Sequence, residues 1–211
     1  MELLFRDDRV VVCVKPAGVL STDEPGGLPE LLRGELGTDT VKTVHRLDRA
    51  VGGVMVCALT RRAAADLSAQ VRDGRFQKEY LAVTHGGPAE PRGSLCSWLW
   101  RDTAARKTLV VPADTSGAQM ARLDYAVLEE REGLALLAIR LHTGRTHQIR
   151  CQLSHGGWPI VGDRKYGAPD GPAPIALWSH AIAFCHPRTG EELTFRRDPP
   201  DIPPWRLFYG R

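Results

Sequence analysis

Three short segments combine reactive side chains with backbone punctuation. In His45-Arg46-Leu47-Asp48-Arg49 a carboxylate sits between two arginines. Neighbouring cations favour the ionised form, which suits a nucleophile or a base better than a general acid; an ion-paired surface loop would read the same way. In Lys78-Glu79-Tyr80-Leu81-Ala82-Val83, strand alternation puts Lys78 and Tyr80 on one face and Leu81 and Val83 on the other. Tyr80 there is either a sheet-packing aromatic or a platform on which a base can stack. In Gly144-Arg145-Thr146-His147-Gln148-Ile149-Arg150, Thr146 is placed to cap a helix. Arg145 then stands at the helix's positive end, an unfavourable position that calls for a compensating anion, either Asp48 or an RNA phosphate. His147, Gln148 and Arg150 add donors near the same helix start.

Two other chemistries are a poor fit. The histidines lack the His-x-x-x-His spacing of a helical zinc site and no carboxylate pattern completes one, so no metal and no cofactor is expected. Glycoside or nucleoside hydrolysis needs a pair of carboxylates flanking the bond, and only one acid is well placed.

These segments need a scaffold. Val10-Val11-Val12-Cys13-Val14 reads as a buried strand ended by the turn Lys15-Pro16-Ala17-Gly18, and Val54 to Leu59 as a strand covered on both faces. A helix follows, with Thr60 as its N-cap, Ala64, Leu67 and Val71 on its apolar face, and Gly74 at its stop. Residues 21–39 read as loop with at most a helical turn at Leu31-Leu32, and residues 85–117 as short β segments between turns. Hairpins are expected over 122–141, turning through Glu129 to Gly133, and over 176–195, turning at Pro187 to Gly190; between them a helix spans Thr146 to His155. Many hairpin-joined strands with few helices give an α+β class with a mixed, mostly antiparallel central sheet. No glycine-rich phosphate loop follows the first strand, which argues against a dinucleotide-binding fold.

Composition sets the outer bounds. At 211 residues, 43% hydrophobic and 25% charged, the chain is of ordinary globular make-up and long enough for a sizeable core. Five cysteines, odd in number and widely spaced, form no disulfide framework. The N-terminus lacks the pattern of a signal peptide and no apolar run reaches bilayer length, so a soluble cytoplasmic protein is expected. Net charge is only +3, yet 23 of the 28 basic residues are arginine. Guanidinium forks bind phosphate bidentately and stack on bases, a weak pointer to RNA that a GC-rich genome would also produce.

Taken in order, Lys15-Pro16-Ala17-Gly18, His45-Arg46-Leu47-Asp48, Lys78 to Val83, His142 to Arg150, Leu153-Ser154-His155 and Pro159 to Gly167 resemble the motifs of the RluA-type pseudouridine synthases. The likeness extends from the first strand to about Pro204. It implies a pseudouridine synthase fold with a basic cleft, and a cofactor-free, metal-free isomerisation of uridine within ribosomal or transfer RNA. By the family pattern Asp48 is the catalytic aspartate, Tyr80 stacks on the target base, Arg145 pairs with Asp48, and Arg46 helps displace the flipped nucleotide. His45, Arg49, Lys78, His147, Gln148 and Arg150 are then expected to bind RNA, with Lys42, Arg164 and Lys165 as further backbone contacts. Residues 1–211 would form one catalytic domain without a separate N-terminal RNA-binding domain, acting on a stem-loop as a monomer without an obligate protein partner. One departure stands out. Where the family usually has Thr-Ser-Gly, this chain has Val51-Gly52-Gly53, losing two hydroxyls beside the catalytic loop. An inactive RNA-binding module on the same fold is the alternative that this departure leaves open.

Overall fold

A strand that is apolar at both parities must be covered on both faces, and β2 and β4 show how this chain does it. The structure is a computed structural model describing residues 1–169 and 174–209. In chain order the elements are β1 (Leu3–Arg6), β2 (Val10–Lys15), α1 (Leu28–Leu36), β3 (Lys42–Thr43), β4 (Gly52–Ala58), α2 (Arg61–Arg72), β5 (Gln77–His85), β6 (Arg92–Asp102), β7 (Lys107–Val111), β8 (Gln119–Arg131), β9 (Leu134–Leu141), α3 (Gln148–His155), β10 (Leu177–Cys185), β11 (Glu192–Arg196) and α4 (Arg206–Tyr209). The chain divides into two compact units, Met1–Glu79 with Trp178–Asp198, and Tyr80–Leu177 with Pro199–Arg211.

In the first unit β2 pairs antiparallel with both β1 and β4, and β10 pairs antiparallel with β11. The short contact of β10 with β4, through Trp178 opposite Gly52 and Ser179 opposite Gly53, is parallel and makes the sheet mixed. Val10, Val12, Val54 and Val56 send one face into a core with Ala63 and Leu67 of α2, Phe76, Ile182 and Phe184. α2 begins as its sequence requires. The Thr60 hydroxyl accepts the Ala63 N–H, and Gly74 takes the left-handed conformation just past the C-terminus.

In the second unit β8 pairs antiparallel with β6 and β9, and β6 with β7. Leu99 and Ala121 turn inward and pack with Val110 on Cys151 of α3 and on Tyr166. Opposite parities of the same strands carry Trp98, Leu109 and Met120, which are 39%, 39% and 45% exposed. The α+β class with a mixed, mostly antiparallel sheet therefore holds.

Several elements differ from the sequence reading. The segment read as loop contains α1, nine residues long, entered through Gly27 and Pro29 and closed by left-handed Gly37. Pro near the start and Gly past the end are helix punctuation, and they make this stretch look like loop when counted as composition. The 85–117 region holds one long hairpin, β6–β7, and β8 runs through Glu129 to Arg131, leaving a two-residue turn at Glu132-Gly133 with positive φ at both. Finally α3 starts at Gln148, two residues after the expected Thr146.

Candidate active site

The loop that carries Asp48 is fastened at each side of the aspartate. Leu47 donates its N–H to the Ser21 hydroxyl, at 3.1 Å, and that hydroxyl donates to the Leu47 carbonyl, at 2.9 Å. Past Asp48, the Arg49 carbonyl accepts the Gly18 N–H at 2.7 Å, and the Val51 N–H closes a turn onto the Asp48 carbonyl. Beneath this loop lies Lys15, with no solvent exposure at all. Its Nζ donates to the carbonyls of Pro16 and Val19 at 2.9 and 2.7 Å and reaches that of Arg49 at 3.5 Å. Burial lowers the Lys15 pKa to about 8, against the opposing pull of the Asp48 charge. The Lys-Pro-x-Gly turn is thus a cradle for the aspartate loop, with a buried ammonium facing it. Lys15 and Ser21 are the residues the sequence reading undervalued; a lysine ending a five-residue apolar strand was the available signal.

Gly52 and Gly53 answer the question raised by Val51-Gly52-Gly53. A Cβ at Gly52 would stand 2.6 Å from the Trp178 ring, and one at Gly53 would stand 2.3 Å from the Ser179 carbonyl. Gly53 also has φ of +122°. Here the indole of Trp178 occupies the room that a side chain at position 52 would take, and its Nε1 is held by the Arg197 carbonyl at 2.8 Å. Ser179 donates to the Val54 carbonyl and ties β10 to β4 at the same place.

Other residues of this unit split between surface and core. Arg46 and Arg49 are exposed, Arg49 donating through Nε to the Gly18 carbonyl. His45 is a correction to the RNA-contact reading. It is buried, its Nε2 accepts the Val56 N–H at 3.2 Å, and its ring lies 5.1 Å from that of Phe76. Burial, with the Lys78 charge adding to it, holds its pKa down at about 3. With Nε2 accepting from backbone, the neutral ring carries its donor on Nδ1, buried inside the core and away from any phosphate. Lys78 is half-buried and burial lowers its pKa as well.

In the second unit Tyr80 is 6% exposed on β5, and Arg145 is exposed on the loop before α3. That loop is organised by Gln148. Its Oε1 accepts the Arg145 N–H at 3.1 Å and the Thr143 hydroxyl at 2.7 Å, and its Nε2 donates to the Arg122 carbonyl. The Arg145 Nε donates to the Met120 carbonyl at 3.2 Å. The expected Thr146 cap is absent because His147, with φ of +55°, takes the N-cap position, while the Thr146 carbonyl accepts the Thr108 hydroxyl. Gln148, 2% exposed, and Arg150, 9% exposed, are buried among protein partners at positions expected to bind RNA. Arg150 forms a bidentate pair with the buried Asp163 through Nε and Nη2, at 2.7 and 2.8 Å, and lies over the Tyr166 ring. His147 Nδ1 is 2.9 Å from the Tyr166 hydroxyl. Among the described residues no group of three His, Cys, Asp or Glu side chains is placed to hold a metal ion, and no helix is long and apolar enough to cross a membrane.

The family described as RNA pseudouridylate synthase matches residues 9–155, which include Lys15, Asp48, Tyr80, Arg145 and Gln148. The chain belongs to the RluA-type RNA pseudouridine synthases. It is an isomerase family acting on RNA. The "Dual-specificity RNA pseudouridine synthase RluA" of Escherichia coli is 33% identical over 203 residues, covering 92% of this chain and 91% of that protein. The "Uncharacterized RNA pseudouridine synthase YlyB" of Bacillus subtilis is 30% identical, covering 95% of this chain and 70% of the relative. Among solved structures, human RNA Pseudouridylate Synthase Domain Containing 4 superimposes with a TM-score of 0.78 at 26% identity, covering 94% of this chain and 88% of that one.

Proposed function

We propose that this synthase converts a uridine within ribosomal or transfer RNA to pseudouridine, with Asp48 as the catalytic carboxylate, Tyr80 beneath the base and Arg145 as the partner of Asp48. The observation that carries this reading is the cradle of the Asp48 loop. A carboxylate that must meet one ribose carbon needs a fixed backbone, and here Ser21, Gly18 and the Lys15 ammonium supply one.

The reaction breaks the bond from uracil N1 to ribose C1′, turns the base and forms a bond from C5 to C1′. The C5 proton is lost to solvent and N1 gains one, so substrate and product are isomers. Asp48 either attacks C1′ or removes a proton from C2′, and both routes need it ionised. The detached uracil has to be kept from escaping, which suits a buried aromatic floor at Tyr80. Because a stacked base is out of reach, the nucleotide must first flip out, at a cost of about a few kcal/mol. Arg46, exposed and planar, suits the gap that flipping leaves.

The whole chain acts as one catalytic domain in this reading, as a cytoplasmic monomer recognising a stem-loop without an obligate protein partner. Mapping pseudouridines in total RNA from cells with and without the gene tests the assignment. At least one ribosomal or transfer RNA position is expected to lose its signal on deletion and regain it with the wild-type gene. An unchanged map would contradict it.

A further inference from the structure

In the second unit the sheet around β6 and β7 has a face turned away from α3, and α4 meets β8 at its far end, where the Leu207 carbonyl accepts Arg131 Nη1. Strand alternation places Arg92, Ser94, Cys96, Trp98 and Trp100 of β6 on that face, opposite the parity that sends Leu99 into the core. Cross-strand pairing completes the surface. Trp98 stands between Val111 of β7 and Met120 of β8, and Trp100 stands opposite Leu109. Trp98, Leu109 and Met120 are large apolar side chains left open to solvent on adjacent strands, whereas scattered single exposures would need no explanation. Around them the same face presents Arg92, Arg122 and Arg140, while Lys107 at the edge of β7 turns its ammonium over the Tyr166 ring on the other side. Its two carboxylates are engaged. Asp124 is bonded by Ser94, His142 and Arg122, bonds that hold its pKa down at about 2, and Asp102 accepts the Ala105 N–H.

We infer that this face, with Trp98 and Trp100 as stacking platforms and Arg122 and Arg92 as phosphate contacts, is a second RNA-docking surface that receives unpaired nucleotides flanking the target uridine. The inference rests on the proposed function. Two observations select RNA as the occupant. An exposed indole, Trp98, with the half-buried Trp100 beside it and arginines around them, is the combination that single-stranded nucleic acid binds, base on ring and phosphate on charge. A second copy of this chain docking symmetrically would set the same three arginines against themselves. The surface also runs directly to Arg145. The Met120 carbonyl that accepts the Arg145 Nε belongs to the residue whose side chain lies beside Trp98.

The test uses the full chain and two fluorescein-labelled probes, a synthetic RNA hairpin with a seven-nucleotide uridine-containing loop and an oligouridine ten-mer. Trp98→Ala is expected to raise the Kd for both by about tenfold, within the range for loss of one stacked base, while Trp98→Phe restores most of the affinity. Arg122→Gln is expected to reduce the slope of log Kd against log salt by about one. Leu128→Ser, a change at the exposed apolar residue of the β8 bulge, is expected to leave Kd unchanged. Cys96, the exposed thiol on this face, should react with maleimide more slowly when the hairpin is bound. Wild-type affinity in Trp98→Ala, with no protection of Cys96, would overturn the inference. So would a wild-type dimer that Trp98→Ala dissociates, since the face would then join two copies. Because these are binding measurements, they stand even if turnover fails; normal turnover with an unaffected Trp98→Ala would remove this surface alone.

Discussion

Gly52 shows how a single position can be misread without its distant neighbour. From the chain alone, the missing hydroxyls at 51 and 52 suggest a looser catalytic loop. In the fold, Trp178 stands over Gly52, and the site is closed by an indole instead of a hydroxyl. Nothing local to positions 45–53 announces this, because the contact comes from β10, far along the sequence. Restoring the family residue therefore carries a cost here. Gly52→Ser is expected to destabilise the protein by roughly 1–3 kcal/mol through overpacking, read as a lowered denaturation midpoint, with activity falling alongside. In a Trp178→Ala background the same substitution should cost almost nothing, the coupling expected for touching residues. Additive effects of the two changes would show that Trp178 does not fill that space.

At the scale of elements, the segments richest in charged donors proved to be partly framework. The signature Gly144 to Arg150 was legible as a site, but the division of labour within it was not. Arg145 stays exposed while Gln148 and Arg150 turn inward, and that choice is made by the Arg122 carbonyl and by Asp163, both outside the segment. Gln148→Ala removes three hydrogen bonds from one buried side chain and frees the backbone that presents Arg145. A loss of about 1–3 kcal/mol in stability is expected, together with a fall in kcat larger than that of Thr143→Ala, which removes one of the three. Equal kcat in the two variants would mean that Gln148 does not position Arg145. The loop before β4 makes its own prediction through His45. Its folded pKa lies below the unfolded value, so the unfolded chain takes up a proton as pH falls below about 6.5, while the folded chain does so only near 3. Stability should thus decline between pH 6.5 and 4 by as much as about 1.4 kcal/mol per pH unit from this group. Urea titrations of His45→Gln should show a shallower pH dependence by up to one proton; an identical dependence would place the proton uptake elsewhere.

For the molecule as a whole, the family, the α+β class and the order of the main strands were readable because apolar strands, hairpin turns and short motifs are all local signals. What escaped was α1, whose Gly and Pro punctuation reads as loop composition, the length of the β6–β7 hairpin, and the cradle under the aspartate loop, where Ser21 and Lys15 meet residues 26 and 34 positions away. The Lys15 and Ser21 contacts fix the backbone on either side of Asp48, the residue on which the proposed reaction turns. The most direct measurement is release of tritium to water from RNA labelled at uracil C5, with wild-type protein and Asp48→Asn compared at equal concentration and with RNA binding followed in parallel. The account expects steady release from the wild type, none above background from the variant, and matching Kd values and circular dichroism for the two. Release by Asp48→Asn at a rate near wild type would contradict it, and so would a wild-type protein that binds RNA but releases no label.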